Sequence, residues 1–251
     1  MTTESRIERP DDALLNELCD QLSELAPSLE SHDAWPAHQL ELCGRFGVFE
    51  WFVSRELGGR GWSDADVVRG YLRLSAACLT TTFVITQRTG ACRRIAAAEN
   101  QWARQQCLAP LVQGRRFATV GISHLTTSRR HLARPVLSAR ESESGIVLDG
   151  FSPWVTGAAF ADWIVTGATF EDDSQVLVAV PRDLPGMTVQ PTLPLVGLSA
   201  SRTGPVKFER AEVPRRWVLA GPAENVMRSG IGAHSGGLQT STLATGLAAA
   251  A

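Results

Sequence analysis

Two residues near the middle of the chain carry side chains that could hold a flat ring. Trp154 supplies an indole, and Thr156 supplies a neutral hydroxyl two positions later. An indole can stack on an electron-poor aromatic ring, and a hydroxyl can stabilise negative charge that develops on such a ring. The alternative is a packed core or interface tryptophan beside an ordinary strand threonine.

A second candidate is a cationic cluster formed by Arg129, Arg130, His131 and Arg134. Guanidinium groups pair well with phosphate, so this segment could bind a phosphorylated ligand. The alternative is a solvated charge run that balances the nearby glutamates. Both interpretations stay open at the level of the sequence.

Other chemistries find little support. His124 and His131 have no carboxylate or thiol at ligand spacing, so no metal site is predicted. Glycines 58, 59 and 61 lack the strand and the Lys-Ser/Thr pair of a phosphate loop, and they indicate a turn. No serine lies in a Gly-x-Ser-x-Gly motif, which argues against a serine hydrolase. We identify no catalytic residue.

Composition narrows the class of protein. The chain has 251 residues, 44% of them hydrophobic, and a net charge of −2, values typical of a soluble globular protein. This balance argues against bulk attraction to nucleic acid or anionic membrane. No apolar run reaches the roughly 18 residues of a membrane span, and the N-terminus is too polar for a signal peptide. The five cysteines are widely spaced and indicate reduced thiols in a cytoplasmic protein.

The elements that must position these residues change character near residue 116. Apolar residues recur at helical spacing before it, and the pattern predicts helices at about 11–25, 38–46, 64–78, 83–98 and 101–112. After it, short apolar or β-branched runs predict strands at 117–122, 136–139, 146–155, 163–169, 176–180, 187–189 and 206–213. Such strands suggest a small antiparallel barrel or sandwich.

The last segment, 238–251, predicts the opening of another helix. It is apolar, has no C-terminal cap, and has no evident surface to pack against. We therefore expect that sequence is missing beyond Ala251.

Several strings in a consistent order sharpen the interpretation. They are ELGGRG at 56–61, LAPL at 108–111, WVTGA at 154–158 followed by Ala161-Asp162, and GLSASRT at 197–203 followed by VKF and VP. Together they resemble the acyl-CoA dehydrogenase family. The resemblance implies an α+β multidomain protein. An N-terminal all-α helical domain (1–115) would be followed by an antiparallel β-barrel domain (116–222) and the truncated start of a C-terminal helical bundle (223–251).

The resemblance also implies a cofactor, FAD, which the protein would orient and tune. Two segments would bind it, comprising Gly121, Ile122, Ser123, Trp154, Val155 and Thr156. In the first segment His124 stands where the family has glutamate, so only the hydroxyl at Ser123 is kept. Arg129, in the cationic cluster, is the candidate for binding the phosphates of an acyl-CoA substrate.

The implied reaction is α,β-desaturation of an acyl-CoA thioester, which needs a glutamate base near the α-proton. The predicted last helix has no acid, and Gln239-Thr240 replaces the family's Glu-Arg. We therefore expect a fragment that lacks the base. A flavin-dependent monooxygenase and a non-catalytic partner or inactive remnant are the alternatives. The family further implies a homo-oligomer, dimer or tetramer, and an electron-transfer flavoprotein as partner.

Overall fold

The structure is a computed structural model that describes residues 6–31, 33–126, 135–228 and 236–251. Its helices are α1 (Ala13–Leu25), α2 (Ala37–Arg45), α3 (Asp64–Ala77), α4 (Leu79–Ala96), α5 (Gln101–Val112), the short α6 (Ser123–Thr126) and α7 (Gly236–Ala250). Its strands are β1 (Ala118–Gly121), β2 (Leu137–Glu141), β3 (Gly145–Val155), β4 (Trp163–Thr169), β5 (Gln175–Pro181), β6 (Met187–Val189), β7 (Gly204–Pro214) and β8 (Val218–Ala223).

Side-chain caps fix where three of the helices begin. Asp12 accepts a hydrogen bond from the backbone N–H of Leu14, and Ser63 accepts one from Asp66. Asn100 accepts from the first turn of α5 in the same way. Each cap satisfies a donor that has no partner within its own helix, which stabilises the helix by about 1 kcal/mol.

The eight strands form one mixed sheet, in the order β6-β7-β3-β2-β4-β5-β8, with β1 paired to β4. The pairs β1–β4 and β2–β4 are parallel, and the other pairs are antiparallel. The predicted combination of helices and a β-domain is confirmed, but the β-domain differs from the predicted antiparallel barrel. The sheet is mixed, and β6 and β8 do not pair within the described residues to close it. The central strands β1, β4 and β5 are buried along almost their whole length, so their apolar runs carry no signal of strand direction.

Helix α4 connects the helical part to the sheet. Ile85, on this helix, lies in the core formed by α1, α2 and α3. Ala91, Cys92 and Ile95, one to three turns later, lie in the core beneath the sheet. One helix thus contributes to both cores, and residues along it can reach the surfaces between them.

Helix α7 packs against α3, contrary to the expectation that it has no surface to cover. Leu243, on this helix, is buried. A Cβ atom at Gly246 would lie 2.0 Å from the Ser75 hydroxyl oxygen and 2.5 Å from the Leu72 carbonyl oxygen. The missing side chain at Gly246 therefore lets the two helices approach closely. Across the described ranges, no helix combines the length and apolar character needed to cross a bilayer.

Candidate functional site

A cavity of about 560 Å³ opens where the sheet, α4 and α7 meet. Ile122 and Ser123, which follow β1, form one part of its wall. Trp154 and Thr156, at the end of β3, form another. The cavity thus brings together four of the six residues that the sequence predicts to bind a cofactor. Its size lies within the range of small-molecule sites.

The alternation of β3 explains which side chains reach the cavity. Trp154 is 46% exposed, whereas Val155 is fully buried on the opposite face, in the core beneath the sheet. Thr156 is buried but lines the cavity. Gly121 also stays outside the lining: its carbonyl accepts hydrogen bonds from the hydroxyls of Ser152 and Thr166. The predicted substrate residue, Arg129, lies outside the described residues.

Thr156 ends a chain of three buried hydroxyls. Its oxygen lies 2.9 Å from the Thr203 hydroxyl, which lies 2.8 Å from the Ser201 hydroxyl. Each hydroxyl has one proton to donate. If Ser201 donates to Thr203 and Thr203 donates to Thr156, the Thr156 proton is left to donate into the cavity. In that arrangement Thr156 can donate to a ligand in the cavity.

His124 is buried next to the cavity residue Ser123, and its ring has a structural role. Its Nε2 lies 2.7 Å from the carbonyl oxygen of Gly167, so this nitrogen carries the proton and donates. Burial lowers the pKa of His124, although the hydrogen bond to Gly167 acts in the opposite direction. The neutral ring joins α6 to β4, and His124 is absent from the cavity lining.

The contribution of α4 to the cavity was not predicted from the sequence. Phe83, Thr86, Gln87 and Arg94 line it, and together they present an apolar ring, two neutral polar groups and a cation. Polar and apolar residues are mixed around α4 instead of separated on two faces, so its pattern did not point to a site. The run of buried polar residues on a helix was the available signal.

Two arginines line this part of the cavity, Arg93 and Arg94, and only Arg93 is paired with a carboxylate among the described residues. The Arg94 guanidinium donates to the Gly90 carbonyl at 2.8 Å, while its neighbour Arg93 is paired with Asp64 at 2.8 Å. Burial lowers the pKa of Arg94, and the charge of Arg93 lowers it further. Arginine still remains protonated in such surroundings. The cavity therefore contains a positive charge next to apolar walls.

Helix α7 closes another side with Gln239, Thr240 and Leu243. Gln239 and Thr240 replace the Glu-Arg pair of the family that the sequence resembles, so this side of the cavity has neither that acid nor that arginine. No aspartate or glutamate belongs to the lining formed by the described residues. Over the same ranges no group of His, Cys, Asp or Glu side chains could hold a metal ion. The arrangement can bind and orient a ring, but it contains no carboxylate base.

Comparison with known proteins adds to this geometry. Residues 126–211 match the family model described as the acyl-CoA dehydrogenase middle domain. The chain is 23% identical over 222 residues to a mouse protein named short-chain specific acyl-CoA dehydrogenase, mitochondrial. This match covers 83% of the chain and 53% of the relative. The chain thus spans about half the length of the curated relatives it matches.

Solved structures share the fold. The butyryl-CoA dehydrogenase of Megasphaera elsdenii superimposes with a TM-score of 0.77 at 17% identity, covering 94% of this chain and 65% of the other. A dibenzothiophene monooxygenase from Paenibacillus sp. A11-2 superimposes with a TM-score of 0.68 at 19% identity, covering 83% and 52%. The chain is thus similar in sequence to acyl-CoA dehydrogenases, most directly over residues 126–211, and it shares the fold of the butyryl-CoA dehydrogenase.

Proposed function

We propose that the chain binds FAD in the cavity beside Trp154 and forms part of a flavin-dependent acyl-CoA dehydrogenase. The observation that carries this proposal is the pairing of a half-exposed indole with a threonine hydroxyl, that of Thr156, at the same cavity. The names of the relatives supply the class of reaction, which is oxidation of an acyl-CoA thioester.

The residues present fit an isoalloxazine ring. The exposed face of Trp154 offers a flat apolar surface, and Ile122 and Leu243 add apolar walls. If Ser201 donates to Thr203 and Thr203 donates to Thr156, the Thr156 proton is available to an acceptor in the cavity. Arg94 supplies the only guanidinium of the described lining that has no carboxylate partner. A ring that gains negative charge on reduction suits this combination of groups.

FAD, when bound, supplies the chemistry by accepting a hydride from the substrate. The chain's own residues would prepare that step. Trp154 would hold the ring in place, and the Thr156 hydroxyl would hydrogen-bond to its polar edge. Arg94 would stabilise negative charge in the cavity. The α-proton would require a carboxylate base, which the described lining does not contain.

The FAD part of the proposal is tested by titration, following quenching of flavin fluorescence. We expect Thr156→Val to weaken FAD binding about tenfold, since one buried hydrogen bond to the ring is lost. Thr119→Val is the matched control, because the Thr119 hydroxyl is buried on β1 and has no hydrogen-bond partner among the described residues. Equal affinity in the two variants would contradict the assigned role of Thr156.

The reaction is tested separately, by adding butyryl-CoA to the FAD-loaded protein under anaerobic conditions. Bleaching of the flavin absorbance supports a dehydrogenase. FAD binding without bleaching would leave the cofactor site in place and count against desaturation by this chain alone.

A flavin-dependent monooxygenase is the second candidate, favoured by the lack of a carboxylate in the described lining. Oxygen consumption that depends on supplied reduced flavin would support it over the dehydrogenase. A protein that stays colourless after FAD addition would instead support a non-catalytic partner or remnant. For the dehydrogenase we also propose a cytoplasmic location, assembly as a homo-oligomer, an electron-transfer flavoprotein as acceptor, and the domain division at about residues 115 and 222.

A further inference from the structure

A second cavity, of about 440 Å³, lies elsewhere in the fold and shares no lining residue with the first. Five arginines line it, namely Arg6, Arg45, Arg88, Arg115 and Arg116, against two carboxylates, Glu41 and Asp162. Arg6 is paired with Glu50, and Arg116 is paired with Asp162 at 2.6 Å. The remaining three arginines have no ion pair with a carboxylate among the described residues, so the cavity has an excess of positive charge.

Arg88 is the residue that most needs an explanation. It lies on α4 with 1% of its surface exposed, and its guanidinium carbon is 3.7 Å from the centre of the Phe49 ring. It donates to the Leu111 carbonyl oxygen, and its other terminal nitrogen lies 3.8 Å from the Cys92 sulfur. A buried guanidinium without an anionic partner is costly, because neutral acceptors replace only part of its hydration.

Flat aromatic surfaces lie beside these cations. Trp35 stacks on Phe160 with ring centres 4.3 Å apart and 6° between the planes, and it meets the edge of Phe117 at 5.6 Å. Phe160 remains 41% exposed. Gly44 and Gly114 line the same cavity and contribute no side chain that could fill it. The cavity therefore combines an unneutralised buried cation, further cations and an accessible aromatic face.

We propose that this cavity is a binding site for a small anion carried on a planar aromatic ring, an aryl phosphate or an aryl carboxylate. Arg88 pairs with the anionic group, Arg45 and Arg115 add charge, and the Trp35–Phe160 pair contacts the ring. This site is separate from the flavin cavity, so its test does not depend on whether the chain binds FAD.

The test uses the 251-residue chain and measures calorimetric binding of phenyl phosphate. Inorganic phosphate and benzyl alcohol serve as probes of the charge alone and the ring alone. We expect saturable binding of phenyl phosphate, about tenfold tighter than that of inorganic phosphate, and none of benzyl alcohol. Absence of saturable phenyl phosphate binding up to about 10 mM would overturn the proposal.

Two variants locate the site. Arg88→Met should abolish binding, and Arg45→Gln, an exposed position, should weaken it about fivefold without disturbing the core. Arg182→Gln is the matched control, since this exposed arginine lies outside the cavity and should bind as the wild type does. Binding that is unchanged in Arg45→Gln and in folded Arg88→Met would assign the ligand to another place. Displacement of bound FAD by phenyl phosphate would also overturn the proposal.

Discussion

At the scale of single residues, the described site depends on polar groups that must be oriented before a ligand arrives. Ser201 and Thr203 do not line up by sequence spacing with Thr156, yet the fold joins their hydroxyls into one chain. These linked hydrogen bonds hold the Thr156 hydroxyl in place, so their loss should lower stability as well as ligand binding.

Thr203, the central residue of the three linked hydroxyls, gives the clearest prediction. We expect Thr203→Val to lower the free energy of unfolding by about 1–3 kcal/mol, because the Ser201 and Thr156 hydroxyls both lose their partner. Urea denaturation measures this change. The control is again Thr119→Val, whose hydroxyl has no partner to lose and whose stability should stay close to that of the wild type. Equal losses in the two variants would refute the linked arrangement.

His124 predicts a dependence of stability on pH. Burial lowers its pKa in the folded state below the ordinary value of 6.5. The unfolded state therefore takes up the proton first as the pH falls through about 6.5, and stability decreases from there down to the folded-state pKa. Above about pH 7 both states are neutral at this site, and the residue adds no pH dependence.

The comparison is with His124→Gln, which keeps a donor for the Gly167 carbonyl but does not titrate. Urea midpoints at about pH 8 and about pH 5 should fall less in the variant than in the wild type. The same decrease in both proteins would assign the pH dependence to other groups.

At the scale of elements, α7 forms one side of the cavity and packs against α3. Gly246→Ala tests that contact. Alanine favours a helix by roughly 0.5–1 kcal/mol over glycine, so an unobstructed position would be stabilised. Here the added methyl group would meet the Leu72 carbonyl oxygen at 2.5 Å, and backbone cannot move aside as a side chain can. We expect the clash to exceed the helix gain.

The expected result is a lower melting temperature for Gly246→Ala together with weaker FAD binding, because Gln239 and Leu243 move with the helix. Gly197→Ala is the control, since a Cβ atom there meets nothing within 4 Å. A melting temperature at or above that of the wild type would show that α3 and α7 do not approach so closely in solution.

At the scale of the whole molecule, α4 makes the helical part and the sheet depend on each other. Because Ile85 lies in one core and Ile95 in the other, loss of either core removes support from the other. We expect one unfolding transition, with far-ultraviolet circular dichroism and tryptophan fluorescence changing at the same denaturant concentration. Two separated transitions would show that the parts unfold independently.

The sequence anticipated much of this architecture. The limits of α5 and the positions of β1 to β7 follow from apolar spacing and turn residues. Strand β8 was missed, because Gly221 and Pro222 interrupt its pattern. The parallel pairing of β4 was not predicted. A strand that is buried on both faces has the same continuous apolar sequence pattern whether it pairs parallel or antiparallel.

Some residues of the candidate site could also be predicted from the sequence, and others could not. Trp154 and Thr156 stood out because a local string contains both, and the structure places both at one cavity. Arg94 and Gln239 reach that cavity from helices distant in sequence, and no local pattern brings them together. Arg88 looked like any helical arginine in the sequence. Only the packing around it shows that it is a buried cation with no carboxylate partner in the part of the chain that the structure describes.

The parallel pairing of β1 with β4 has a consequence for the order in which the molecule assembles. Ala118 pairs with Trp163, so the chain must close a loop of more than forty residues before β1 has a strand partner. Contacts so distant in sequence form slowly, since the entropy of loop closure is lost before the contact is gained. Ile122 and Ser123 come directly after β1, and they reach their final places only then. During refolding, the ability to bind the flavin ring should therefore appear late, after the local helices have formed.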